Sequence, residues 1–121
     1  MMADDQKQPV LSFPPHEGIL LATVECAEMD EDLTRQMQDS LMKAAEKTPK
    51  VPVVLDLSKV TFAPSLTIGA LVSFLTYFRQ LDRRFILVGI QPHVRKILTV
   101  IRLDQIFEIC DNPDDALQHI R

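Results

Sequence analysis

Tryptophan is absent from this chain of 121 residues, tyrosine occurs once, and glycine occurs only three times. Gly18, Gly69 and Gly89 stand far apart, so no glycine-rich loop is available to cradle a phosphate. Cysteine is scarcer still. Cys26 and Cys110 lack C-x-x-C spacing, which argues against a zinc site and against a disulfide framework. Both lie in apolar runs and are expected to be buried thiols, as suits a cytoplasmic protein. His16, His93 and His119 are scattered, none at motif spacing from a serine, a cysteine or another histidine. The expectation is therefore a chain without catalysis, metal or cofactor, whose histidines are exposed. No apolar run approaches the ~20 residues of a membrane-spanning helix, so no direct membrane insertion is expected. The polar, acidic opening Met1-Met2-Ala3-Asp4-Asp5-Gln6-Lys7 does not read as a signal peptide.

What is present is the composition of a globular domain, 46% apolar and 25% charged. Residues 1–8 read as a disordered lead-in and 9–121 as one domain. The net charge of −4 is unevenly placed. Glu25, Glu28, Asp30, Glu31 and Asp32 crowd the first half, whereas Arg79, Arg83, Arg84, Arg95, Lys96 and Arg102 fall in the second. Two solvated faces account for this, as does a surface polarised toward a protein partner. Nucleic acid is not an expected partner, because the basic residues lack interleaved aromatics and the chain is acidic overall.

Apolar runs alternate with amphipathic stretches. Residues 10–13 suggest a short strand, and residues 19–26, 53–57 and 85–89 suggest buried ones, with a last strand at 106–110. Asp30 is placed to cap a helix carrying Leu33, Met37, Leu41 and Ala44. A second helix opens near Ser65 with Ala70, Leu71, Phe74, Leu75, Phe78 and Leu81 as its core stripe. Pro92 opens a third, with Val94, Ile97, Leu98 and Ile101 inward, and Asn112-Pro113 opens the terminal one. Strands alternating with helices imply an α/β fold with much parallel pairing.

The most informative segment is 53–71, where a buried strand passes through a short loop to a serine at a helix start. Pro64 holds Ala63 extended, so the strand must end there and Ser65 becomes the N-cap or a first-turn residue. Such a hydroxyl can cap the helix, or it can accept a phosphate, because free N–H groups and the helix dipole favour negative charge. Asp56, at the strand end, can cap the following turn or serve a site. Ile68 and Val72 lie beside the main stripe, either covered by a neighbouring helix or exposed as an apolar patch for a partner.

These residues carry a resemblance. Leu55-Asp56-Leu57, then 62–71 (Phe-Ala-Pro-Ser-Leu-Thr-Ile-Gly-Ala-Leu), is similar to the strand and Phe-x-Asp-Ser-Ser-Gly-Leu-Gly-like loop of the STAS domains of anti-sigma factor antagonists. Residues 85–98, running from Phe85 through Gly89 and Pro92 to Leu98, resemble that family's Leu-Val-Gly-x-x-Pro-x-Val-x-x-x-Leu signature, and 103–107 with 115–117 complete the likeness. The resemblance implies a STAS-like sandwich with a mixed, mostly parallel sheet and about four helices. It also implies a regulatory protein-binding module without catalysis of its own, whose partner is a serine-kinase anti-sigma factor. Ser65 occupies the phosphoacceptor position, with Thr67 as the alternative, and Asp56, Ser65, Ile68 and Val72 are the candidate partner-binding residues. The chain departs from the pattern at Pro64, Leu66 and Thr67, where the family has Asp, Ser and Gly. Two other readings stand beside this one. STAS domains also serve as subunits of lipid-transport ABC complexes and of stress-signalling scaffolds, and a small-ligand or nucleotide sensor could use a pocket near Asp56 and Ser65.

Overall fold

The apolar runs form one five-stranded sheet in a computed structural model that describes residues 9–120. β1 (Leu11–Ser12) is an edge strand antiparallel to β2 (Leu20–Val24). β3 (Val53–Asp56), β4 (Phe85–Val88) and β5 (Glu108–Cys110) follow in chain order, each parallel to the strand before it. The helices are α1 (Glu31–Lys47), α2 (Ser65–Gln80), α3 (Pro92–Val100) and α4 (Pro113–Ile120), with a 3-10 turn at Leu103–Gln105. This is the expected α/β sandwich with four helices and a mixed, mostly parallel sheet. The disordered lead-in read for residues 1–8 lies outside the described residues.

Each crossover steps the sheet in the same direction, so right-handed connections place α1, α2 and α3 on one face. Alternation along the strands then divides the core in two. Leu20, Val24, Val53, Leu55, Phe85 and Leu87 pack with Met37, Leu41, Leu71, Phe74, Phe78 and Leu98. Leu21, Val54, Ile86 and Val88 pack instead with Ala116, and with Leu117 and Ile120 beside it on α4. A strand covered on both faces has to be apolar throughout, which is why β3 and β4 are continuous runs.

The caps fall where the sequence placed them. The Asp30 carboxylate accepts from the Leu33 N–H at 2.8 Å, and Asn112 Oδ1 accepts from the Asp115 N–H at 2.8 Å. The helix ends differ. Leu81 and Ile101 are the C-caps of α2 and α3, where the chain leaves helical geometry, so both are half-exposed instead of continuing the core stripes. Ile106 likewise lies outside β5 and is exposed, while Phe107 beside it is buried. Cys26 and Cys110 are half-buried, not buried as expected, and burial is still the main cause pushing both thiols up. His93 and His119 are exposed, but His16 is mostly covered, with Nε2 3.4 Å from Asp114.

Candidate partner-binding face

The parallel strands end at one edge of the sheet, and the loop from β3 to α2 crosses it. Its first turn is fastened at both sides. Asp56 accepts the Ser58 N–H at 2.8 Å, and the Gln91 side chain donates to the Ser58 carbonyl at 2.6 Å. Gly89, at φ +69°, lies so close that a Cβ there would stand 2.9 Å from Ser58 Cβ and 3.1 Å from Asp56 Oδ1. The end of the loop is stitched to the segment before α1. Thr61 and Phe62 donate their N–H groups to the Ala27 carbonyl at 2.7 and 3.2 Å, and the Met29 N–H donates to the Phe62 carbonyl at 3.0 Å. One turn into the helices, the buried hydroxyls of Thr34 and Thr67 meet at 2.8 Å.

This anchoring decides where Ser65 stands. Pro64 is the N-cap of α2, in extended geometry (φ −69°, ψ 169°), and its carbonyl accepts from the Ile68 N–H at 3.1 Å. Ser65 is thus the first helical residue, exposed, and makes no capping hydrogen bond. Of the two places read for Ser65, N-cap or first turn, the second is the one it occupies, because the proline took the N-cap position. No acidic side chain occupies the first turn of α2, so nothing there offsets the positive end of the dipole.

Beside Ser65 runs a groove of about 470 Å³ lined by Phe62, Ala63, Pro64, Ser65, Ile68, Ile97 and Ile101. A second depression, about 320 Å³, continues it along α3 past His93, Lys96, Ile97, Val100 and Ile101. Phe62 (48% exposed) and Val100 (72%) stand out at these hollows, and Leu66 (51%), next to Ser65 on α2, is exposed as well. Exposed apolar side chains grouped around a hollow, on a backbone held by the bonds above, are the features of a protein-docking surface.

A family model for the STAS domain matches residues 14–116. The chain belongs to the STAS domain family. Solved structures agree on the fold. An anti-sigma factor antagonist (STAS) domain protein from Planctomyces limnophilus superposes with a TM-score of 0.80 at 18% identity, covering 92% of this chain and 97% of its own. An anti-sigma factor antagonist from Mycobacterium paratuberculosis gives 0.79 at 23% identity, with 92% of each chain covered. The Bacillus cell fate determinant SpoIIAA in its phosphorylated form gives 0.68 at 14% identity, covering 92% of this chain and 99% of that one.

In this STAS domain the candidate residues do not all meet. Ser65 and Ile68 share the groove, but Ile68 is 5% exposed and forms its floor, so it is not the exposed anchor of the patch reading. It belongs to the main core, and Ile97 and Ile101 of the neighbouring helix line the groove with it. Val72 is half-buried, packed against the core and away from the groove. Asp56 accepts from the Ser58 N–H and is not among the residues lining the groove, so it does not share that hollow with Ser65 as in the ligand-sensor reading. Thr67 is 2% exposed and bonded to Thr34, which rules it out as a surface phosphoacceptor in the folded chain. Phe62 and Leu66, the outward apolar residues beside Ser65, were not among the partner-binding candidates. The signal was there for Leu66, which falls off the stripe of Ala70, Leu71, Phe74 and Phe78. Among the described residues no group of three or more His, Cys, Asp or Glu could hold a metal ion, and no helix is long and apolar enough to cross a membrane.

Proposed function

We propose that this STAS domain is a regulatory protein-binding module of the anti-sigma factor antagonist type, with its partner docking over the start of α2. The charge on Ser65 switches that docking. The observation carrying this reading is an exposed Ser65 hydroxyl, free of capping bonds, at the first residue of a helix and at the edge of an apolar groove. A helix start tolerates a phosphate, so modification would leave the fold intact. The same phosphate, with roughly −1.5 to −2 charges, would have to be desolvated beneath a docked apolar surface. The fold therefore keeps its structure while the complex is lost. The partner is a serine-kinase anti-sigma factor, and Pro64, which replaces a carboxylate and stiffens the loop, calls for a cognate kinase. Replacing Pro64 with Asp should make the loop a better substrate for a generic kinase of that kind.

Leu66 lies on the face and can be changed without touching the core. Affinity purification from the native cell with the wild-type chain, with Leu66→Asp and with Gln118→Asp on the opposite side of the sheet tests the assignment. Wild type and Gln118→Asp should retain the same kinase-type protein. Leu66→Asp should weaken its binding roughly tenfold to a hundredfold, the usual range for losing a central apolar anchor. Equal retention by all three would place the interface elsewhere.

A further inference from the structure

The apolar strip on this face, from Phe62 across the groove to Ile101 and Val100, has an opposite charge at each side. Glu28 stands on the α1 side, paired backbone to backbone with Phe62. Lys96 stands on the α3 side and lines the same hollow as Val100 and Ile101. Both are exposed, and among the described residues neither has an ion-pair partner. The neighbouring acids are otherwise engaged: Glu31 and Asp32 pair with Arg35, Glu25 pairs with Lys59, and Asp30 accepts from the Leu33 N–H.

A layout of negative, apolar and positive in a row is complementary to itself. A two-fold axis lying in the face, at right angles to the line from Glu28 to Lys96, brings each Lys96 over the other copy's Glu28. The same rotation lays the two apolar strips on one another. We propose that this face binds a second copy of the chain, in an isologous dimer centred on Phe62, Leu66 and Ile101 with Glu28–Lys96 pairs at both ends. Ser65 lies within the covered strip, so a charge there in both copies opposes the dimer, and self-association competes with any other protein that uses the face.

Sedimentation velocity on the purified full-length chain, over a concentration series, tests this. The wild type should pass from monomer to dimer with rising concentration, and Ile101→Glu, or the more exposed Val100→Glu, should stay monomeric while melting as a folded protein. Glu28→Lys alone and Lys96→Glu alone should each weaken association about tenfold or more, because like charges then face each other at both ends. An equimolar mixture of the two single variants should associate as the wild type does, since every contact in the mixed dimer again joins opposite charges. That rescue requires a direct contact between positions 28 and 96 of different copies, and association that stops at the dimer marks the pairing as isologous. A wild type that stays monomeric throughout, a dimer indifferent to Ile101→Glu and Val100→Glu, or a mixture no better than its components would overturn the proposal.

Discussion

Thr67 shows what a single side chain does here that its type does not announce. Its hydroxyl and that of Thr34 satisfy each other in the core, 33 residues apart in the chain, and tie the start of α2 to α1. Thr67→Val would strand the Thr34 hydroxyl and should cost about 1–3 kcal/mol. Removing both hydroxyls in Thr34→Val/Thr67→Val should bring stability back toward wild type, because no buried group is then unpaired. Urea unfolding of the four proteins checks this, and a double variant as unstable as the sum of the singles would contradict it. Gly89 is a second such position. Gly89→Ala meets Ser58 at a distance that ordinary Cβ contacts do not reach, in a left-handed conformation, and should destabilise by ~1–3 kcal/mol. Glu108 sets a pH dependence. The hydrogen bond from Arg84, helped by the same guanidinium's charge and by His119, holds its carboxyl below the ordinary 4.5 against some opposing burial. A carboxyl lowered on folding contributes stability that is complete above its unfolded value and is lost as pH falls through its folded one. Acid titration of stability should therefore be shallower in Glu108→Gln, with the two proteins differing most above pH 4.5 and converging in stronger acid.

At the scale of the elements, most of the architecture was legible because local signals and tertiary packing agree. Asp30, Pro92 and Asn112 cap or open helices through contacts within one turn, and the runs 53–57 and 85–89 have to be central strands because both faces are covered. Asp30→Ala should cost about 1 kcal/mol, and Asp30→Asn far less, when thermal unfolding is compared. What could not be read depended on neighbours remote in sequence. Ile68 is buried as part of the main core, whose other members come from strands β1 to β4 and the helices on that face. Leu81 and Ile101 continue their stripes in spacing, but the helix geometry ends at those residues and turns them toward solvent. Ser65 was placed within one position of its true role. The choice between N-cap and first turn rested on whether Pro64 itself would take the N-cap position, which its extended backbone and its carbonyl, bonded to the Ile68 N–H, permit. At the other end of the sheet Arg83 closes the layer. Its guanidinium donates to the carbonyls of Ala45, Thr48 and Val51 and lies 5.4 Å from the centre of the Phe78 ring, an arrangement no local pattern predicts.

For the molecule as a whole, the uneven charge of the sequence becomes a spatial order. The acidic start of α1 and the basic side of α3 flank α2 on one face of the sheet, with the apolar strip and Ser65 between them. The opposite face is closed by α4 and has no comparable group of exposed apolar side chains among the described residues. Fold and function separate cleanly in such a design, since the groove can change its occupant while both cores stay packed. In the function proposed for this face, charge at the first residue of α2 governs docking. Isothermal titration of the protein that the wild-type chain retains from the native cell, against wild type, Ser65→Ala and Ser65→Asp, is the deciding measurement. Ser65→Ala should bind like the wild type, and Ser65→Asp, folded and equally stable, should bind at least roughly tenfold more weakly, as expected for an unpaired charge at an interface centre. Undiminished binding by Ser65→Asp would contradict it.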